Sequence, residues 1–535
     1  MVENVAFGSA VVRLERAVLD HLRANGDSSL GMAGAIGSQV KMQVDELWLL
    51  GNIRDMEIDR SLPDAIMVNI DFLGEGDRGP DGALVAFRRG VTRYPRSGDR
   101  VFAVHDSDLA QVFATDARSH IEIGTVYPTK GVRAALFIDQ MLSGHFALVG
   151  SSGTGKSTTT ALILHKIIDK APEGHIVVID PHGEYDSAFR TRGVIYNVDN
   201  LKMPYWLLNF EEHCEVFLTS EGVEREIDKD ILAKCLMLAR SKNDVAHSYV
   251  NLTVDSPVPY LLADLIGSID AQMGRLSQAA DMARYARIKN KIEEMISDTR
   301  YTFMFDRSLV ADSMESFLAD ILRLPANGRP ISIIDLSGVP SDIVSVVVAV
   351  LSRIVLDFAI WSRRQARRPI LLVCEEAHRY VPAERIETGA AVRKILERIA
   401  KEGRKYGVSL GLVTQRPSDV AEGALSQCGT IISMRLNNER DQAWVRNAMP
   451  EGARGFLDSI PALRNRECII CGEGVTIPVR VRFDTLDPEL RPESADPVFS
   501  KLWTDVGGEA DLLKQTISVW RSQSLDAAPN SPLLR

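Results

Sequence analysis

Cysteine is scarce in this chain, six in 535 residues. That excludes a disulfide scaffold and points to a reducing compartment. Positive charge is also in short supply: 62 lysines and arginines face 72 acids, a formal net charge of −10. A surface coated in basic residues is excluded, although a local basic stripe is not. No internal repeat or low-complexity tract is present, and no charged-then-apolar leader opens the chain. The most apolar stretch, Ile343 to Trp361, is interrupted by Arg353 and Asp357. It is expected to be a core helix rather than a membrane span, so the expectation is a cytoplasmic protein with no membrane partner. Cys468 and Cys471 form one CxxC without a second pair or a nearby histidine, and Glu467–Cys471 reads as a buried strand rather than a metal site. The length itself implies two to four domains.

What the chain does have is the stretch Phe146 to Ser157. An apolar run ends at Gly150, and Ser151, Ser152, Gly153, Thr154, Gly155, Lys156 and Ser157 follow before a helical pattern opens at Thr158. Strand, glycine-rich loop and helix in that order are the context a phosphate-binding loop requires. Glycines let backbone N–H groups converge on phosphate oxygens, and the helix N-terminus adds partial positive charge. Gly150 through Thr158 are therefore candidate nucleotide-binding residues. Lys156 is placed to reach the β/γ-phosphates and Ser157 to ligate Mg²⁺.

The rest of the chain divides around this loop. Residues 1–27 carry Val11, Leu14, Val18, Leu19 and Leu22 at helical spacing and are predicted to form an N-terminal helix. Residues 28–126 alternate short apolar runs with turn clusters and are predicted to form a small β-barrel for assembly. Residues 127–210 hold the loop and a second strand ending at Asp180, a βαβ unit. Residues 211–325 read as a helical insertion. Parallel-strand texture returns over 326–490, at Ile331–Asp335, Ile370–Cys374, Ser409–Val413 and Thr430–Met434. Residues 491–535 read as a tail with one helix, Ala510 to Arg521. The fold class is α/β.

Several strand ends carry chemistry. Ile370–Cys374 runs into Glu375 and Glu376; after a strand, one acid suits Mg²⁺ and the next suits the attacking water, so Glu375 takes the metal role and Glu376 the base role. Gln415, after another strand, can contact the γ-phosphate or that water. Asp180 can support the Mg²⁺ shell. Arg404 and Arg440 are candidates for an arginine supplied in trans to the transition state, against the plainer reading of surface ion pairs.

Together these motifs resemble the HerA family of hexameric DNA-translocating ATPases, bacterial type, within the HerA/FtsK group. The resemblance rests on Gly150–Ser157, Ile179–Tyr185, Glu375–Tyr380, Glu402–Gly407 and Thr414–Ser418, and covers most of residues 30 to 485. It departs at Glu375, where the family usually has aspartate. The resemblance implies a RecA-like P-loop ATPase core using ATP and Mg²⁺, an N-terminal barrel that helps assembly, and a homo-hexamer threading double-stranded DNA. It also implies a nuclease partner or, in antiphage defence systems, a sirtuin-like effector. Two readings compete: a motor, and a ring scaffold that uses ATP to assemble an effector with little translocation. Arg363, Arg364, Arg367, Arg368, Lys289 and Lys291 are candidate pore contacts or simply solvated helix ends.

Overall fold

The computed structural model describes residues 1–24, 30, 33–58, 64–115, 117–129, 131–248, 250–275, 279–365, 367–384, 389–449, 454–493, 499–504 and 509–522. Seven strands form the first sheet: β1 (Val2–Ala6), β2 (Ser9–Glu15), β3 (Gln39–Val44), β4 (Leu47–Ile58), β5 (Ala65–Arg78), β6 (Leu84–Arg89) and β7 (Val101–Ala103). Their order is β1-β2-β5-β4-β3-β7, with β6 on β5. The two ends of this path meet, because the Val2 amide donates to the Asp99 carbonyl at 2.9 Å and the Gly98 amide to the Val2 carbonyl at 2.8 Å. Val12, Val40, Met42, Leu49, Ile53, Val68 and Ile70 fill its own core.

Two boundaries differ from those the sequence predicts. The helix expected over residues 1–27 begins only at Arg16 and ends at Ala24. Val11 and Leu14 lie on β2, paired with Asn69 and Ile66 of β5, and residues 25–27 lie outside the described residues. Ala10 and Val12 are buried on alternate positions, and tertiary pairing overrides the helical spacing that Val11, Leu14 and Val18 share. The first sheet therefore runs from residue 2 to residue 103, not from 28 to 126.

The second sheet has eleven strands: β8 (His120–Val126), β9 (Arg133–Phe137), β10 (Phe146–Val149), β11 (Ile176–Asp180), β12 (Gly193–Tyr196), β13 (Ile331–Asp335), β14 (Ile370–Cys374), β15 (Val408–Thr414), β16 (Thr430–Ser433), β17 (Glu467–Gly472) and β18 (Val479–Phe483). The order is β12-β13-β11-β14-β15-β10-β16-β17-β18-β8-β9, parallel as far as β16 and antiparallel beyond it. The parallel strands are apolar at nearly every position because both faces are covered. Ala147, Val149, Val177 and Ile179 join one core, while Phe146, Leu148 and Val178 join the other. Cys468 and Cys471 of β17 also fall in different cores. Residues three apart on a strand point to opposite faces, so these two thiols cannot converge on one ion.

The helix Val344–Ser362 is long and apolar enough to cross a membrane by composition, but most of it is buried inside this molecule. Arg353 anchors it, donating to Glu212 Oε1 and Oε2 at 2.8 and 2.9 Å and to the Leu207 carbonyl at 2.6 Å. Between β12 and β13 the described residues form helices only, the longest being Gly222–Arg240 and Ala279–Ser297. Near the C-terminus the helix Glu509–Ser522 is the last described element.

Candidate active site

The loop after β10 is folded by its own residues and suspended from neighbouring strands. The Gly150 amide donates to the Thr414 carbonyl at 3.2 Å, and the Ser151 amide to the Arg435 carbonyl at 2.8 Å. Gly153 and Gly155 adopt φ of +72° and +99°, which a side chain would resist. A Cβ on Gly150 would lie 2.8 Å from Met434 Cβ, so that position also needs glycine. The helix Lys156–Lys170 starts directly at the loop's end, turning its free N–H groups toward a cavity of about 330 Å³.

Parallel pairing of β11, β14, β15 and β10 puts their C-terminal ends along one edge of the sheet, where ligands of open α/β sheets bind. Asp180, Glu375, Glu376 and Gln415 thereby line the same cavity as Ser152, Lys156, Ser157 and Thr158. The structure brings together most of the residues expected from sequence. Ser151 and Thr154 instead brace the loop, the Thr154 hydroxyl donating to the Ser151 carbonyl at 2.8 Å.

The acids differ in environment. Asp180 is buried, and its carboxylate accepts the amides of His182, Gly183 and Tyr185 at 3.1, 3.0 and 3.0 Å. Burial still pushes its pKa up to about 6. Glu375 is pushed up to about 8, first by burial and then by the charges of Asp180 and Glu376, despite the hydrogen bond it accepts from the Tyr185 hydroxyl. Glu376 sits at φ +51°, a strained backbone that turns its side chain back into the cavity. Its Oε2 lies 3.2 Å from His378 Nδ1, which bonds instead with Thr414 Oγ1 at 3.1 Å, and this buried oxygen has no hydrogen-bond partner.

Lys156 Nζ donates to the Ser151 carbonyl at 3.3 Å. Burial lowers its pKa, opposed by Glu376, Glu375 and Glu184. The Ser152 hydroxyl donates to Gln415 Oε1 across the cavity. Residues not singled out as site residues from sequence sit in the cavity as well: His182, Pro492 and, of most consequence, Glu184 and Tyr185. The Ser157 hydroxyl donates to Glu184 Oε2 at 2.6 Å. Glu184 and Tyr185 close the Asp180–Tyr185 motif, whose place at a strand end is visible in the sequence while their partners are not.

The two arginines do not enter this cavity. Arg404 is exposed near the end of the helix Ala390–Tyr406 and lines a separate apolar cavity with Pro369, Ile370 and Val408, at the N-terminal ends of β14 and β15. Arg440 is exposed at the start of the helix Glu439–Ala448, three residues after Asn437, whose amide donates to Ser151 Oγ at 3.1 Å. Of the pore candidates, Lys289 is paired with Asp270 at 2.8 Å and Lys291 with Glu294 at 3.2 Å. Arg363, Arg364, Arg367 and Arg368 are exposed.

Comparison with known proteins matches residues 121–355 to the family described as "Helicase HerA, central domain". The chain is 27% identical over 523 residues to the DNA double-strand break repair helicase HerA of Pyrococcus furiosus, spanning 90% of this chain and 88% of that protein. It is 24% identical over 434 residues to the protein of the same name from Sulfolobus acidocaldarius, spanning 77% and 81%. Among solved structures, VirB4 of Thermoanaerobacter pseudethanolicus superposes with a TM-score of 0.50 at 16% identity, covering 70% of this chain and 99% of that one. At that identity the likeness speaks to the fold alone, a mixed α/β architecture.

Proposed function

Because the chain belongs to the HerA family, we propose that it is an ATPase whose hydrolysis drives a ring along double-stranded DNA. The observation that carries this reading is the convergence of Lys156, Ser157, Glu375, Glu376 and Gln415 on one cavity at the C-terminal edge of the sheet. The phosphates of ATP take the place of the Ser151 carbonyl at Lys156 Nζ and receive the loop's N–H groups. Glu376, with one buried carboxylate oxygen lacking a donor, accepts a hydrogen bond from the attacking water and then its proton. Gln415 leaves Ser152 and orients that water or the γ-phosphate.

The donor set also fits Mg²⁺. Ser157, Glu375 and Glu184 offer oxygen only, and no cluster of three acids, histidines or cysteines able to hold an ion alone is found among the described residues. That suits a cation carried in on substrate phosphates and finished by one or two protein oxygens. Its chemistry would be charge neutralisation on the phosphates. Ser157 and Glu375 would hold it, with Asp180 fixing the turn beside them.

The reading extends to a hexamer, with Arg404 or Arg440 completing a neighbour's site, and to the N-terminal sheet as a small barrel that serves assembly. It also extends to a nuclease or sirtuin-like partner in a repair or defence complex. The scaffold alternative draws support from the acidic net charge and from Lys289 and Lys291 being neutralised in ion pairs. ATP hydrolysis with and without duplex DNA, beside Lys156→Ala and Glu376→Gln, separates the two. Stimulation lost in both variants supports the motor; hydrolysis indifferent to DNA supports the scaffold.

A further inference from the structure

Two consecutive residues of one turn each grip a different side chain of the proposed cation site. Glu184 accepts the Ser157 hydroxyl at 2.6 Å, and the Tyr185 hydroxyl donates to Glu375 Oε1. The turn is itself held fast. Asp180 receives three of its amides, at 3.0 to 3.1 Å. Gly183, at φ +69°, packs so close to β13 that a Cβ would lie 3.0 Å from Asp335 Oδ1. Tyr185 is 1% exposed, so its hydroxyl is committed to this contact rather than to water.

The polarity of both contacts suits a cation. A serine hydroxyl has one donor and two lone pairs. By giving its proton to Glu184, Ser157 keeps both lone pairs for a positive ion. Tyr185 engages one oxygen of Glu375 and leaves the other for the ion or its water. A glutamate has one more rotatable bond than an aspartate, and fixing it from a neighbouring strand removes that freedom. Since Glu184 and Tyr185 are joined by one peptide, about 3.8 Å between Cα atoms, the spacing of Ser157 and Glu375 follows from the turn rather than from two independent rotamers.

We infer that Glu184 and Tyr185 are positioning residues, a two-residue clamp that holds Ser157 and Glu375 in register for the nucleotide's cation. This rests on the ATP-site reading above. Outer contacts of this kind typically contribute about 10- to 100-fold in metal affinity.

The test uses the full chain and its Tyr185→Phe, Glu184→Gln, Glu375→Asp and Tyr185→Phe/Glu375→Asp variants. Binding of a fluorescent ADP in EDTA reports the phosphate loop alone. Mn²⁺ titration of each ADP complex, followed by electron paramagnetic resonance, reports the cation. Cation-free ADP binding is expected to stay within about twofold, while Mn²⁺ binds about 10-fold more weakly in Tyr185→Phe and in Glu184→Gln. Glu375→Asp withdraws the carboxylate from the tyrosine by one methylene, so the clamp predicts that adding Tyr185→Phe to Glu375→Asp changes Mn²⁺ affinity by less than about twofold. Normal ADP binding with unchanged Mn²⁺ affinity in both single variants overturns the clamp and leaves the nucleotide site standing. Parallel loss of cation-free ADP binding also overturns it, because the turn would then serve the loop's fold. Failure of the unaltered protein to bind ADP overturns the nucleotide reading and the clamp together.

Discussion

His165 makes the helix behind the phosphate loop sensitive to acid. The residue is 2% exposed on the helix Lys156–Lys170, with its ring stacked on Phe189 at 4.4 Å between centroids. Arg192 Nη1 donates to its Nδ1 at 3.3 Å, so the neutral ring is the one that fits. Burial first, then the Arg192 charge, push its pKa from 6.5 to about 4, with Asp169 opposing. The folded state holds this proton less tightly than the unfolded chain does. The stability is therefore complete above pH 6.5 and is lost as pH falls toward 4. Applying proton linkage to these two values gives a loss of about 2 kcal/mol at pH 5 and about 3 kcal/mol at pH 4. His165→Leu keeps the apolar packing on Phe189 and removes the titration. Urea unfolding followed by tryptophan fluorescence at pH 7, 6 and 5 measures both proteins. The wild type is expected to lose about 2 kcal/mol more than the variant between pH 7 and pH 5. Parallel pH profiles would refute the reasoning, since other buried histidines contribute equally to both.

Three further outcomes are expected. Glu376→Gln should lower ATP hydrolysis by about 10²- to 10⁴-fold while leaving ATP binding intact, as read by single-turnover and equilibrium binding assays. Arg353→Met leaves the buried Glu212 carboxylate without its bidentate partner and should cost about 3–5 kcal/mol in urea unfolding; adding Glu212→Leu should recover most of that loss. Gly472→Ala places a Cβ 1.9 Å from the Gly429 carbonyl oxygen at φ +114°. Soluble yield should collapse, and a variant with an unchanged unfolding midpoint would contradict the β16–β17 geometry.

The site was legible where function depends on backbone needs and strand ends. Gly150, Gly153 and Gly155 are each required by a φ or a close approach, and Glu375, Glu376 and Gln415 each follow an apolar parallel strand. Such signals lie within a few residues of one another. Glu184 and Tyr185 were hidden because their partners, Ser157 and Glu375, are 27 and 190 positions away. Arg404 and Arg440 could be proposed from charge alone, but their place relative to the cavity depends on which end of the sheet each helix meets. The sequence predicts a helix where β2 forms because Val11, Leu14 and Val18 satisfy a helical spacing that only the pairing with β5 overrules. The sequence groups β8 with the first sheet because its short run of alternating residues carries no mark of its partner, β18, more than 350 positions later.

The ladder β18–β8 bears on how this architecture is divided and inherited. The segment that matches the family, residues 121–355, holds most of β8 and all of β9 to β13. Cut out alone, it would keep the trio β12-β13-β11 and the pair β8-β9, and would strand β10 between two gaps once filled by β15 and β16. The phosphate loop hangs from that orphaned strand. The segment matched by the family is therefore not a unit of folding, and a minimal nucleotide-binding fragment has to reach at least as far as Phe483.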